Sequence, residues 1–147
     1  MHSEMAILLH FPAAMSAPVI LILDDTEQVR FLVRAVLESA GYNVIEAADE
    51  SEALTACQKS ELRIDLFISD VLLGEAYGTE VAIRLAALRP HMPILFISGY
   101  PIEDLPNYSS QASTEMAAIE FLQKPFDPDQ LLARVRDLVP AMRRAHA

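Results

Sequence analysis

The 147-residue sequence predicts an α/β domain with a parallel β-sheet covered by helices on both faces. Three observations predict it. From Pro18 onward, short apolar runs alternate with stretches whose apolar residues recur at helical spacing, a strand-then-helix rhythm repeated along the chain. The first run, "VILIL" (19–23), is β-rich and uncharged, as a strand covered on both faces requires. Slightly over half of all residues, 52%, are hydrophobic, enough to build a real core in a chain of this length.

Each element has its own justification. After "VILIL", Thr26 stands where a helix cap belongs, and Val29, Leu32, Val33, Val36 and Ala40 form an apolar stripe that Gly41 terminates. "YNVIEA" (42–47) is the second strand, and Asp49 with Glu52 opens the next helix in a capping-box pattern. "IDLFIS" (64–69) is the third strand and ends at Asp70. A loop containing Gly74 and Gly78 leads to the helix "TEVAIRLAALR" (79–89), stopped by Pro90. "MPILFIS" (92–98) and "IEFLQ" (119–123) are the fourth and fifth strands. Asp127 caps the last helix, with Pro128 in its first turn and Leu131, Leu132, Val135, Leu138 and Val139 facing inward. Between strands four and five, residues 99–118 carry Pro101, Pro106 and a Ser/Thr cluster, and only a short helix over 109–118 is expected there.

The expected organisation is an N-terminal extension over 1–17, one domain over 18–140 and a tail over 141–147. The extension is interrupted by His10 and Pro12 and lacks a basic start, so it reads neither as a signal peptide nor as a membrane span. The expected location is therefore cytoplasmic, with no membrane partner. A net charge of −10 argues against nucleic acid. The single cysteine, Cys57, excludes an intrachain disulfide and suits a reducing compartment, where it serves as a small core residue. The histidines at 2, 10, 91 and 146 share no metal-like spacing, and the acidic Glu103–Asp104 and "ESE" (50–52) read as solvated helix starts.

The function is written at the strand ends. Asp24 and Asp25 close the first strand, and like charges about 4 Å apart repel by about 4 kcal/mol at an effective dielectric of 20. Asp70 ends the third strand, Ser98 the fourth, and Lys124–Pro125 follows the fifth. In an open parallel sheet these ends share one edge, where ligands bind. Carboxylates, a hydroxyl and an ammonium suit a hard cation together with a phosphoryl group. Mg²⁺ takes one or two carboxylates and keeps waters, and a carboxylate can attack phosphorus. Taken alone, Asp24 is an ordinary helix cap and Ser98 an ordinary loop hydroxyl. In company with Asp25, Asp70 and Lys124 they read as a site.

The motifs "LILDD", "LFISD", "LFISG" and "FLQKPF", in that order and spacing, resemble the response-regulator receiver domain of two-component signalling over about 120 residues. The resemblance implies a flavodoxin-like (βα)5 fold with strand order 2-1-3-4-5. It implies that Asp70 accepts a phosphoryl group from a histidine kinase or histidine phosphotransfer protein. Asp24, Asp25, Asp70 and the backbone carbonyl of Leu72 would hold Mg²⁺. Lys124 would pair with Asp70, Ser98 and Phe121 would act as the switch, and the Lys124–Pro125 bond would be cis. Phe121 also has a core explanation. Leu72 and Tyr100 would tune hydrolysis of the phosphoryl group, their bulk slowing it. The protein would be a switch acting through a downstream protein partner, as a monomer or weak dimer, and not an enzyme in its own right.

The pattern departs from the family where Gly74 replaces a usual proline, and where 99–118 is longer and more irregular than in chemotaxis-type members. Three alternatives stand beside the switch: a phosphate shuttle or sink in a relay, a phosphorylation-independent pseudo-receiver, and a flavodoxin-like cofactor protein. The last lacks a phosphate-cradling loop, since "DDTEQ" occupies its place.

Overall fold

In a computed structural model of the chain, the described residues are 17–74, 76–101 and 118–139. The expectations for the N-terminal extension, for Glu103–Asp104, for a helix over 109–118 and for the C-terminal tail lie outside them.

Five strands, β1 (Val19–Leu23), β2 (Asn43–Ala47), β3 (Leu66–Asp70), β6 (Ile94–Ser98) and β7 (Ile119–Gln123), form one sheet in the order β2-β1-β3-β6-β7. All four pairings are parallel. This is the expected 2-1-3-4-5 order, with one addition. A two-residue hairpin, β4 (Leu72–Leu73) and β5 (Ala76–Tyr77), stands apart as a small antiparallel ribbon directly after Asp70.

The helices are α1 (Glu27–Ser39), α2 (Glu50–Gln58), α3 (Gly78–Leu88) and α4 (Pro128–Leu138). The period-two alternation of strand side chains divides the core between them. On one face Leu21, Leu23, Phe67 and Phe96 pack with Ala53, Cys57, Val81 and Leu85 of α2 and α3. On the other, Ile20, Ile22, Ile68 and Leu95 pack with Val33, Leu37, Leu131 and Val135 of α1 and α4. Every residue of β1 is buried, which explains its uncharged sequence. Cys57 is buried as expected, and burial pushes its thiol up.

Local signals behave unevenly. Gly41 ends α1 with φ +99°, its N–H donating to the Glu38 carbonyl and that of Tyr42 to Leu37, a Schellman closure in a conformation that glycine adopts without strain. Asp127 and Gln130 form a reciprocal capping box on α4, and Leu131, Val135 and Val139 are buried. Asp49 accepts from the Glu52 amide, but the Glu52 carboxylate reaches one residue further back, to the Ala48 N–H.

Four expectations need correction. Thr26 occupies the cap position of α1 without a side-chain capping bond. Leu32 is 63% exposed, because Val33 and Leu37 take the core-facing positions and Val29 and Val36 flank them. Glu50 is not merely solvated, since both its oxygens receive the Arg84 guanidinium and tie α2 to α3. Gly78 is the first residue of α3 rather than part of a loop.

Candidate functional site

Parallel pairing brings the carboxyl ends of β1, β3, β6 and β7 to one edge, with Leu23 beside Ser69, Asp70 beside Ile97 and Ser98 beside Gln123. The residues that follow these strands therefore converge.

Asp70 is the centre. Its Oδ2 accepts from Lys124 Nζ at 2.9 Å, and its Oδ1 accepts from the Leu72 amide at 3.1 Å. The pair links residues 54 apart in sequence. Lys124 is joined to Pro125 by a cis bond, and its own N–H donates to the Ser98 carbonyl.

Asp24 is 5% exposed, and its Oδ1 accepts from the Thr26 amide at 2.8 Å. Burial pushes its carboxyl above the ordinary value of 3.8. The Thr26 hydrogen bond opposes that rise, the Asp70 charge adds to it, the Lys124 ammonium opposes it, and the Asp25 charge adds again. The charges of Asp70, Lys124 and Asp25 thus all reach Asp24. Asp25 is exposed, with its Oδ2 beneath Gly74, 3.7 Å from where a Cβ on that residue would stand.

The remaining predicted residues lie around this group. Ser98 is buried, and its Oγ donates to the Tyr100 carbonyl and accepts from the Tyr100 amide, at 3.0 and 2.9 Å. It is therefore engaged with its own loop and not with Asp70. Phe121 is half-buried, its ring 5.2 Å from the fully buried Phe96. Leu72 and Tyr100 are 41% and 56% exposed. Gly74, in place of a proline, takes φ +60° at the turn of the hairpin.

Two contributors were not foreseen. Gly78 lies against the Asp70 backbone, a contact not foreseen although the resemblance to the family already pointed to a glycine eight positions after Asp70. Arg30 donates to the Asp24 carbonyl, and the hint was a charged Glu46 inside a strand, which calls for a cationic partner.

Among the described residues, no three His, Cys, Asp or Glu side chains form a ready-made metal cage. Mg²⁺ does not need one, because it binds through one or two carboxylates and retains its waters. Burial is the main reason the Asp24 carboxyl is raised, and the neighbouring Asp70 and Asp25 charges add to it, so a cation among these carboxylate oxygens would be favoured and the donor set fits a hard divalent ion.

Residues 20–136 match the model of the response regulator receiver domain. The chain is similar to the alkaline phosphatase synthesis transcriptional regulatory protein PhoP of Bacillus subtilis, 32% identical over 82% of this chain and 48% of that protein. It is also similar to sporulation initiation phosphotransferase F of the same organism, 29% identical over 82% of this chain and 93% of that protein. The response regulator protein TrrA from Thermotoga maritima, solved in complex with Mg²⁺-BeF, superposes with a TM-score of 0.68 at 28% identity, covering 83% of this chain and 99% of that one. The chain belongs to the response regulator receiver domain family. It spans about half the length of PhoP, whose name describes a longer protein.

Proposed function

We propose that this domain is a phosphorylation-dependent switch in which Asp70 takes a phosphoryl group from a histidine kinase or a histidine phosphotransfer protein. The observation that carries the reading is the ion pair between Lys124 Nζ and Asp70 Oδ2 at 2.9 Å, set beside the buried Asp24. In the reaction one Asp70 carboxylate oxygen bonds to phosphorus as the phosphorus–nitrogen bond of the donor phosphohistidine breaks, leaving an acyl phosphate and a free imidazole. Asp24, Asp25, Asp70 and the Leu72 carbonyl are the groups that would hold Mg²⁺, whose chemistry is neutralisation of charge on the transferring oxygens. Lys124, already paired with Asp70, would add a second positive charge. The Ser98 hydroxyl, once released from Tyr100, becomes a donor for a phosphoryl oxygen, and Phe121 moves with it to signal the change.

The domain assists its own phosphorylation and dephosphorylation but is otherwise a substrate and not an enzyme. Its output is contact with a downstream protein in the cytoplasm, as a monomer or weak dimer. The likeness to sporulation initiation phosphotransferase F, nearly all of whose length is matched, supports relay transfer as a second output. The solved complex of TrrA with Mg²⁺-BeF supports magnesium here.

The test is incubation with acetyl phosphate and Mg²⁺, read by intact mass. One added phosphoryl group is expected on the wild type and none on Asp70→Asn. An unmodified wild type, under conditions that phosphorylate a known receiver, would overturn the reading in favour of a phosphorylation-independent binding module.

A further inference from the structure

We propose that Arg30 is a positioning residue for the metal-binding carboxylates, acting through the backbone of Asp24. This rests on the magnesium reading above. Arg30 lies on α1, and its side chain is 14% exposed. Its Nη1 donates to the Asp24 carbonyl at 2.7 Å, and its Nε donates to Glu46 Oε1 at 3.0 Å. The Asp24 N–H donates to the Ala47 carbonyl at 3.2 Å. Both backbone polar groups of Asp24 are thus held by the last two residues of β2, Ala47 directly and Glu46 through Arg30.

The consequence reaches Asp25. A peptide unit is planar, so the Asp24 carbonyl oxygen and the Asp25 N–H belong to one rigid plate. Fixing the oxygen fixes the plate from which the Asp25 side chain departs. A guanidinium is suited to this work because its donors point in fixed directions from one plane, so two acceptors define its position. Glu46 is itself immobilised, since its Oε2 accepts from Arg34 Nη1 at 2.9 Å. Arg34 in turn binds Glu38. Arg34 therefore shares the anchor but makes no bond to Asp24, and it provides an internal control.

Titrating Mg²⁺ alone by isothermal calorimetry tests this without any phosphorylation step. Replacing a group that orients a metal ligand typically lowers affinity by about 10-fold or more. That loss is expected for Arg30→Ala and for Arg30→Lys, which keeps the charge opposite Glu46 but lacks the fork. Arg34→Ala is expected to bind Mg²⁺ like the wild type even where its thermal stability falls. At saturating Mg²⁺ the phosphorylation rate of Arg30→Lys should recover toward wild type, because Asp70 and Lys124 are untouched. Wild-type affinity in both Arg30 variants, or equal losses in the Arg30 and Arg34 variants, would overturn the inference while leaving the function intact. A wild type that binds no Mg²⁺ would overturn both. Should Arg30→Ala fail to fold, the Arg30→Lys comparison decides.

Discussion

A Cβ placed on Gly78 would stand 2.0 Å from the carbonyl oxygen of Asp70 and 2.6 Å from Ser69 Oγ. The obstacle is mainly backbone, which cannot swing aside as a flexible side chain does. Gly78→Ala is therefore expected to destabilise the fold by about 1–3 kcal/mol through overpacking. Because the displaced group is the Asp70 backbone, the same change should slow phosphorylation. Chemical denaturation and the rate of labelling by acetyl phosphate measure the two effects, and a variant normal in both would contradict this packing.

Gly74 gives a second, conformational prediction. Its φ of +60° lets Leu72–Leu73 pair with Ala76–Tyr77 above Asp25. Proline locks φ near about −65° and cannot occupy that turn. Gly74→Pro, which restores the residue usual in the family, is expected to cost more than about 1 kcal/mol here and to disrupt the hairpin. Backbone chemical shifts of Leu72–Tyr77 would report the loss, and an unchanged set would count against the turn described.

The Glu46 carboxylate predicts a pH dependence. Burial alone would raise its carboxyl, but hydrogen bonds from Arg34 and Arg30, with their charges, outweigh burial and hold it below the ordinary 4.5. A carboxyl depressed on folding stabilises the protein above its unfolded value, and that contribution disappears as pH falls through the folded value. Glu46→Gln should therefore be less stable than wild type at neutral pH, by about 1 kcal/mol given the partial exposure of the cluster. The gap should narrow as pH drops below 4.5. Urea midpoints collected across that range check the sign.

Leu72 and Tyr100 bear on the lifetime of the phosphorylated state. Both are large and apolar-bodied, and both are partly exposed beside Asp70 and Ser98. We expect them to hinder attack by water, so that the acyl phosphate persists for many minutes with Mg²⁺ present. Replacing either by a small polar residue should shorten that lifetime. Decay within seconds in the wild type would remove the idea.

Much of this was legible locally. The strands β1, β3 and β6 are marked by apolar runs and β7 by a short apolar stretch broken by Glu120, and α4 by the Asp127 cap and Pro128, because these signals depend on neighbours a few residues away. The acidic pair, Asp70, Ser98 and Lys124 were legible because a parallel sheet assembles its carboxyl ends whatever the loops do. Leu32 was misread for the opposite reason. Its spacing from Val29 fits a helical stripe, but which stripe faces inward depends on how α1 seats on the sheet and on α4.

The sequence by itself determined the five strands of the main sheet, the helices that alternate with them among the described residues and the set of groups delivered to one edge, since periodicity, capping and charge are properties of short stretches. Only tertiary structure decided how those groups meet. Lys124 grips Asp70 across 54 residues, and Glu46 meets Arg30 across 16. Ser98 turns toward Tyr100, and Gly78 closes on Asp70. Hydrogen bonding and close packing act over a few ångströms, and which side chains come within that distance follows from the seating of whole elements rather than from the spacing of letters.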